Sequence, residues 1–233
     1  MTIRTIVETG STNADQLHLA TLGAREGEWL RAERQTAGRG RQGRAWQSPP
    51  GNLYASTLVR LRPTDPPPAS LALVAAVALH ETLDLYLPGR AMLKWPNDVL
   101  IDGAKLSGIL LERSGEALVV GIGVNVAHHP DLPDRATTSL AAAGCVIDAA
   151  TLVGVLAEVF ARWLEIWRVQ GFAAVRAAWL AAAHPVGSAL SVHMPDGHRA
   201  EGLFEGLDAD GALVLRLADG TRRVMHAGDV FLS

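Results

Sequence analysis

The stretch from Thr36 to Gly51, TAGRGRQGRAWQSPPG, constrains the fold more than any other part of the chain. Four glycines and two prolines exclude a regular helix or strand across it. It reads as a long loop, and loops of this length inside compact domains are functional or disordered. The flanking runs EWLRAERQ and NLYASTLVRLR read as strands. Within the loop, GRGRQG (Gly38 to Gly43) formally matches G-x-G-x-x-G. A dinucleotide turn would need a helix directly after it. The next residues, RAWQSPPGN, carry two prolines and cannot start one. A different chemistry fits better: Arg39, Arg41 and Arg44 set three guanidinium groups on a glycine-rich backbone, which can close over a phosphate or carboxylate with Arg forks and amide N–H groups acting together.

The rest of the chain divides by pattern. Before the loop, GSTNADQLHLATLGAREG offers Ser11, Thr12 and Asn13 as N-caps, an apolar face at Leu17, Ala20 and Ala24, and Gly27 as a stop. After it, PTDPPP breaks the chain and ASLALVAAVALHETLDLYL reads as a buried helix. From Ala91 to Val126, short apolar runs with turns at PND, IDG and RSGE predict a meander of hairpins. Two helices follow, DAATLVGVLAEVFARWLEIW and FAAVRAAWLAAA, separated by Gly171. After His184-Pro185 the turns PDG, DADG and ADG cut the tail into short alternating strands, a small all-β unit. The predicted domains are therefore 1–183 and 184–233.

Composition narrows the class. A chain of 233 residues, 48% hydrophobic and 19% charged, is an ordinary globular protein of one domain or one large and one small. Its net charge of −3 argues against a whole-surface nucleic-acid binder. The single cysteine, Cys145, excludes an internal disulfide and fits a reducing compartment. The opening MTIRTIVETG has no apolar signal core, so a cytoplasmic location is expected. Leu71 to Leu79, the most apolar run, is too short to span a bilayer.

Scarce residues point to a site. Of 21 lysines and arginines only two are lysine, Lys94 and Lys105, and both fall in MLKWPNDVLIDGAKLSGILLE. Lysine supplies a compact point charge with rotatable donors, where arginine supplies a planar fork. Asparagine occurs four times, at Asn13, Asn52, Asn97 and Asn125, each in a glycine- or turn-rich setting. In VVGIGVNVAHHP, Gly121 and Gly123 lie in a strand pattern, which suggests close approach of a ligand or of another backbone. His128-His129 lacks metal-ligand spacing and reads as surface loop; no Cys/His cluster implies zinc.

Taken together, GSTN, ERQTAGRGRQGRAWQSPPGNLYAS, LKWPNDVLIDGAKLSGILLE and GIGVNV, in this order and spacing, resemble the biotin–protein ligase family. The tail DADGALVLRLADGTRRVMHAGDVFLS resembles that family's small C-terminal β-barrel. The resemblance implies an α/β (α+β) catalytic domain, a mixed β-sheet flanked by helices and related to class II aminoacyl-tRNA synthetases, plus an SH3-like barrel. It implies an enzyme that joins biotin to ATP as biotinyl-5′-AMP, with Mg²⁺ expected. The biotinyl group then passes to a lysine of a biotin carboxyl carrier protein.

Carried over by residue, Ser11, Thr12, Asn13, Gln35, Arg39, Gly40, Arg41 and Lys105 would hold biotin, with Lys105, Arg39 and Arg41 acting on the reacting groups. Trp46, Lys94, Asn97 and Asn125 would form the nucleotide side. Metal ligands are not assigned. With GSTN beginning at residue 10, a preceding DNA-binding domain has no room, so no specific DNA binding is expected. The oligomeric state stays open between monomer and homodimer. A lipoate–protein ligase of the same superfamily is the competing enzyme; a non-catalytic biotin- or nucleic-acid-binding module is the competing class.

Overall fold

The protein is described by a computed structural model covering residues 2–194 and 196–232. The chain opens with strand β1 (Thr2–Thr9), helix α1 (Thr12–Thr21) and strand β2 (Glu28–Gln35). The β1–β2 pair is parallel, joined by the α1 crossover. Then come β3 (Leu53–Arg60), α2 (Leu71–Asp84), and the strands β4 (Ala91–Lys94), β5 (Asp98–Ile101), β6 (Ala104–Ser114) and β7 (Ala117–Val124). These strands form one mixed sheet in the order β1-β2-β3-β7-β6-β5-β4. Helices α3 (Ala149–Gln170) and α4 (Phe172–Ala182) follow, broken at Gly171, whose φ of 78° no helix accommodates.

Strand alternation assigns the two faces. Leu53, Ala55 and Val59 of β3, with Leu118, Val120, Ile122 and Val124 of β7, enter the main core with α2, α3 and α4. Leu58, Ala117 and Val119 point the other way and pack under Ala20 of α1, beside Leu17 and Ala24. The same alternation puts Tyr54, Ser56, Gly121 and Gly123 on the α1 face. Three helices therefore bury one face of the sheet, and one short helix covers only part of the other. The uncovered part is where a ligand can lie.

Most predicted elements appear within a few residues. The meander from Ala91 is four antiparallel strands, and both helices flanking Gly171 form. The first helix stops earlier than expected, at Leu22–Gly23 instead of Gly27, because Gly23 takes φ +91°. Of the three candidate caps, Ser11 caps the helix, accepting from the Ala14 N–H at 3.5 Å. Strand β1 carries no period-2 pattern and is largely exposed. It becomes a strand only by pairing with β2.

The tail forms β8 (Ala189–His193), β9 (Arg199–Leu207), β10 (Leu213–Arg216), β11 (Arg222–Met225) and β12 (Asp229–Leu232). They make an antiparallel sheet in the order β11-β10-β9-β8-β12. This sheet docks on the large one through a continuous core that joins Phe204, Leu213 and Leu215 to Leu73 and Trp179. The turn at Gly211 enters between α2 and α4. A Cβ there would lie 2.9 Å from Leu73 Cδ1 and 3.0 Å from Phe172 Cζ, and the φ of +88° adds backbone strain for any other residue. The Gly211 carbonyl accepts from Trp95 Nε1 at 3.0 Å, and that of Leu207 accepts from Arg176 Nε at 2.8 Å. Among the described residues, no helix is long and apolar enough to cross a membrane.

Candidate active site

A cavity of about 380 Å³ opens on the α1 face, and all twelve residues assigned from the sequence to biotin or nucleotide line it. Its floor is a cross-strand row: Tyr54 of β3 is opposite Gly123 of β7, Gly123 opposite Gly108 of β6, and Gly108 opposite Asp98 of β5. Both glycines lie close under what rests on them, Gly123 too close for any side chain. A Cβ on Gly123 would stand 2.7 Å from Trp46 Nε1, and one on Gly108 3.1 Å from Trp46 Cζ3. The Trp46 indole thus rests on bare backbone. Its Nε1 is buried with no hydrogen-bond partner among the described residues.

One end of the cavity is lined mainly by uncharged polar side chains, with the Arg39–Glu112 pair beside them. The start of α1 presents Ser11, Thr12 and Asn13, all buried. Gln35 Oε1 accepts from the Thr12 N–H at 2.9 Å and from its hydroxyl at 3.1 Å. Ser56 Oγ lies 2.6 Å from Asn13 Oδ1, and Asn13 Nδ2 donates to Glu112 at 2.9 Å. Gly121 lies directly beneath: a Cβ there would fall 2.1 Å from Asn13 Oδ1.

The other end is ionic. Lys105 Nζ lies 2.6 Å from Asp98 Oδ1, and Lys94 Nζ lies 3.5 Å from Asp98 Oδ2. The β4–β5 hairpin sets this directly, since Lys94 and Asp98 are register partners. Burial pushes the Lys94 ammonium below its usual range, and the Asp98 charge opposes that shift. By sequence Asp98 reads only as a turn residue. In the fold it is the carboxylate that gathers both lysines. A signal for this exists in the sequence: Asp98 sits four residues after one rare lysine and seven before the other.

The glycine-rich segment between β2 and β3 arches over this cleft. It is a loop, as its composition requires, but it carries internal hydrogen bonds. The Trp46 N–H donates to Gly38 O at 2.9 Å and the Gly40 N–H to Arg44 O at 2.7 Å. The tip, Arg41–Gly43, is a single 3₁₀ turn with Gln42 at φ 57°. Gly38 is sterically obligatory, since a Cβ there would fall 2.7 Å from both Ser48 Oγ and Trp46 O, whereas Gly40 has ordinary room. Gln35 Nε2 donates to Ser48 Oγ at 3.2 Å and Ser48 Oγ to Trp46 O at 2.9 Å, tying the loop to the neutral end. Arg39 lies 3.8 Å from Glu112, beside Asn13. Arg41 donates to Asn97 Oδ1 at 3.3 Å and to Gly228 O at 3.4 Å. Arg44 pairs with Asp229. The loop is therefore held to the small sheet as well as to the large one.

Three asparagine and lysine positions make contacts that the sequence reading does not include. Lys94, expected on phosphates, also donates from its Nζ to Val230 O at 3.1 Å, so it bridges the two sheets. Asn125, expected to offer its amide to the nucleotide, has its Nδ2 committed to Thr138 O at 3.0 Å. Asn52, grouped with the other asparagines by rarity, does not line the cavity. Its Oδ1 accepts from the N–H groups of Val126, Ala127 and His128, each at 2.9 Å, and shapes the turn after β7. The cavity wall also holds Asp98, Arg135 and Asp229, which sequence reasoning does not single out. Arg135 is one of many arginines and Asp229 lies far along the chain, so neither has a local signal. Among the described residues, no group of three His, Cys, Asp or Glu side chains forms a metal cage.

Comparison with known proteins shows the family. Residues 9–127 match the biotin/lipoate A/B protein ligase family, and residues 191–233 match the biotin protein ligase C-terminal domain. The chain is 42% identical to the biotin–[acetyl-CoA-carboxylase] ligase of Paracoccus denitrificans, over 97% of this chain and 98% of that one. It superposes on the biotin protein ligase of Aquifex aeolicus in complex with biotin and ATP with a TM-score of 0.86 at 26% identity, covering 100% and 99% of the two chains. The Leishmania major biotin protein ligase in complex with biotinyl-5-AMP gives 0.68 at 25% identity, covering 97% and 99%. The chain belongs to the biotin protein ligase branch of the biotin/lipoate A/B protein ligase family, enzymes that ligate biotin at the expense of ATP.

Proposed function

We propose that this chain activates biotin to biotinyl-5′-AMP and transfers the biotinyl group to a lysine of a biotin carboxyl carrier protein, in the cytoplasm. The observation that carries this reading is the polarity of the cleft. A neutral hydrogen-bonding end suits a ureido ring, and an ionic end suits a triphosphate. Among the lining side chains six cations, Arg39, Arg41, Arg44, Lys94, Lys105 and Arg135, face three carboxylates, Asp98, Asp134 and Asp229. That surplus favours a polyanion.

In the first step a biotin carboxylate oxygen bonds to the α-phosphorus and the bond to the bridging oxygen breaks, releasing pyrophosphate. Two anions must meet, so preorganised positive charge at the α-phosphate lowers the barrier. Lys105 is the residue we assign to this role, held by Asp98, while Arg39 and Arg41 close from above. In the second step the acceptor amine bonds to the acyl carbon, AMP leaves and the amine loses a proton. Until then the anhydride must be kept from water. The glycine loop, anchored by Trp46 against the sheet, provides the cover. Mg²⁺ would enter with the nucleotide, held by its phosphates, with Asp229 as the cavity carboxylate outside the Lys94–Asp98–Lys105 cluster, and it would offset phosphate charge. We place the domain division at residues 183 and 184.

The test is to incubate the chain with ATP and either biotin or lipoate, measure acyl-adenylate, and then add a biotin carboxyl carrier domain and follow its acylation. Biotinyl-AMP and a biotinylated carrier are expected. Turnover of lipoate in place of biotin would assign the chain to the sister activity, and no adenylate with either acid would remove the enzymatic reading.

A further inference from the structure

The segment that carries Arg135 is set against Lys105 by main-chain bonds. The Lys105 N–H donates to Ala136 O at 2.9 Å, and the Thr138 N–H donates to Lys105 O at 2.9 Å. The bridge between Lys105 and Thr137 is parallel. Residue 135 therefore lies on the side of Lys105 that points away from Gly108, Leu110 and the neutral end. The Arg135 side chain is 18% exposed and lines the same cavity. Its guanidinium stands 6.0 Å from the Phe231 ring, which limits where the fork can go. The charges of Asp98 and Asp229 act on it, and it acts on Lys94, so Lys94, Lys105 and Arg135 converge on one end of the cleft.

We propose that Arg135 is a binding residue for the two phosphates that depart as pyrophosphate, which rests on the nucleotide reading above. A triphosphate that presents its α-phosphate to Lys105, with biotin toward Asn13, extends its β- and γ-phosphates toward Arg135. The guanidinium is free to change partner. Its contact is Asp134, the preceding residue, whose carboxylate is 53% exposed. A pair between neighbours in sequence whose carboxylate is half in water is readily exchanged. A bidentate Arg–phosphate contact is stronger and geometrically specific. Lys105, by contrast, stays with the buried Asp98. The two cations thus divide the work: a fixed point charge at the reacting phosphate, and a movable fork at the leaving group.

The experiment uses the full chain and inorganic pyrophosphate with Mg²⁺ as the probe, titrated calorimetrically into the parent, Arg135→Gln, Arg135→Lys and Phe231→Leu, with biotin affinity and the KM for ATP measured alongside. Arg135→Gln is expected to weaken pyrophosphate and raise the KM for ATP by roughly tenfold or more, with biotin affinity unchanged and partial recovery in Arg135→Lys. Phe231→Leu is expected to stay within about twofold of the parent, since the ring it removes faces Arg135, Lys94 and His193 but carries no charge of its own. Parental pyrophosphate affinity in Arg135→Gln overturns the proposal, as does a loss in Phe231→Leu equal to that in Arg135→Gln, which would make Arg135 a strap between loop and sheet. Should Arg135→Gln not fold, Arg135→Lys decides: a folded Lys variant that binds pyrophosphate no better than an unrelated phosphate-free control protein, or that loses biotin affinity in parallel, overturns it. A parent that binds neither pyrophosphate nor ATP removes the nucleotide reading itself.

Discussion

Lys105 Nζ stands 2.6 Å from Asp98 Oδ1, with the two side chains only 16% and 8% exposed. At that burial an ammonium without its carboxylate, or the reverse, is costly, and removing one partner of such a pair is strongly destabilising. The pair therefore fixes where the positive charge sits before any ligand arrives. Lys105→Ala is expected to slow adenylate formation by about two to three orders of magnitude, on the scale of losing one preorganised electrostatic contact. Lys105→Arg is expected to be impaired too, because a planar fork does not reproduce the Asp98 contact. Single-turnover measurement of biotinyl-AMP checks both; a parental rate in Lys105→Ala would refute the assignment.

Gly121 sits under Asn13 with no room for a methyl group, a Cβ falling 2.1 Å from Asn13 Oδ1. Gly121→Ala must push Asn13 off Ser56 and Glu112. The expected result is biotin binding weakened by about tenfold or more, in line with loss of one or two buried hydrogen bonds, while affinity for ATP changes little. Calorimetry with each ligand separately distinguishes this from general loss of structure, in which both would fall.

His184 lies at the junction of the two sheets, 2% exposed, its ring 4.4 Å centroid to centroid from Phe204 and neither nitrogen partnered among the described residues. Burial, reinforced by the nearby Lys94 charge, pushes its pKa down to about 4. The unfolded chain binds this proton more readily than the folded one, with a reference near 6.5. Its contribution is therefore fully present above about pH 6.5 and lost as pH falls through 4, a change on the order of 3 kcal/mol. In His184→Phe the melting temperature should fall less steeply than in the parent between pH 6.5 and 4. Parallel curves for the two proteins would exclude this role.

The glycine loop touches both sheets, through Asn97 and Gly228 at Arg41 and through Asp229 at Arg44. Glycines make an open loop entropically favourable, and exposed ion pairs hold it weakly. Trypsin should cleave after Arg39, Arg41 or Arg44 in the free protein, and biotin with ATP should slow that cleavage several-fold. Asp229→Asn should speed cleavage in the free protein. Equal cleavage with and without ligands would show that the loop does not close on them.

Much of the site is legible in the sequence because it depends on residue types that stand out locally. The glycine and proline content of residues 36–51 forces a loop whatever the fold, and the rarity of lysine marks Lys94 and Lys105. Glycines in a strand pattern at 121 and 123 announce a close approach, though it is made by the side chains of Asn13 and Trp46 and not by another backbone. Rarity misleads once, at Asn52, because the same amide that can hold a ligand can equally cap three main-chain N–H groups. Strand β1 is invisible because an exposed parallel edge strand needs no alternating pattern. What only the tertiary structure decides is set by pairing across distance. The β4–β5–β6 register brings Asp98 between two lysines, the parallel bridge at Lys105 brings in Arg135, and the docking of the small sheet brings Asp229 and Val230 to the cavity wall. Local patterns determine what each segment can be; which common residues share a site is fixed only when non-local strand pairing and burial place their charges within reach of one another.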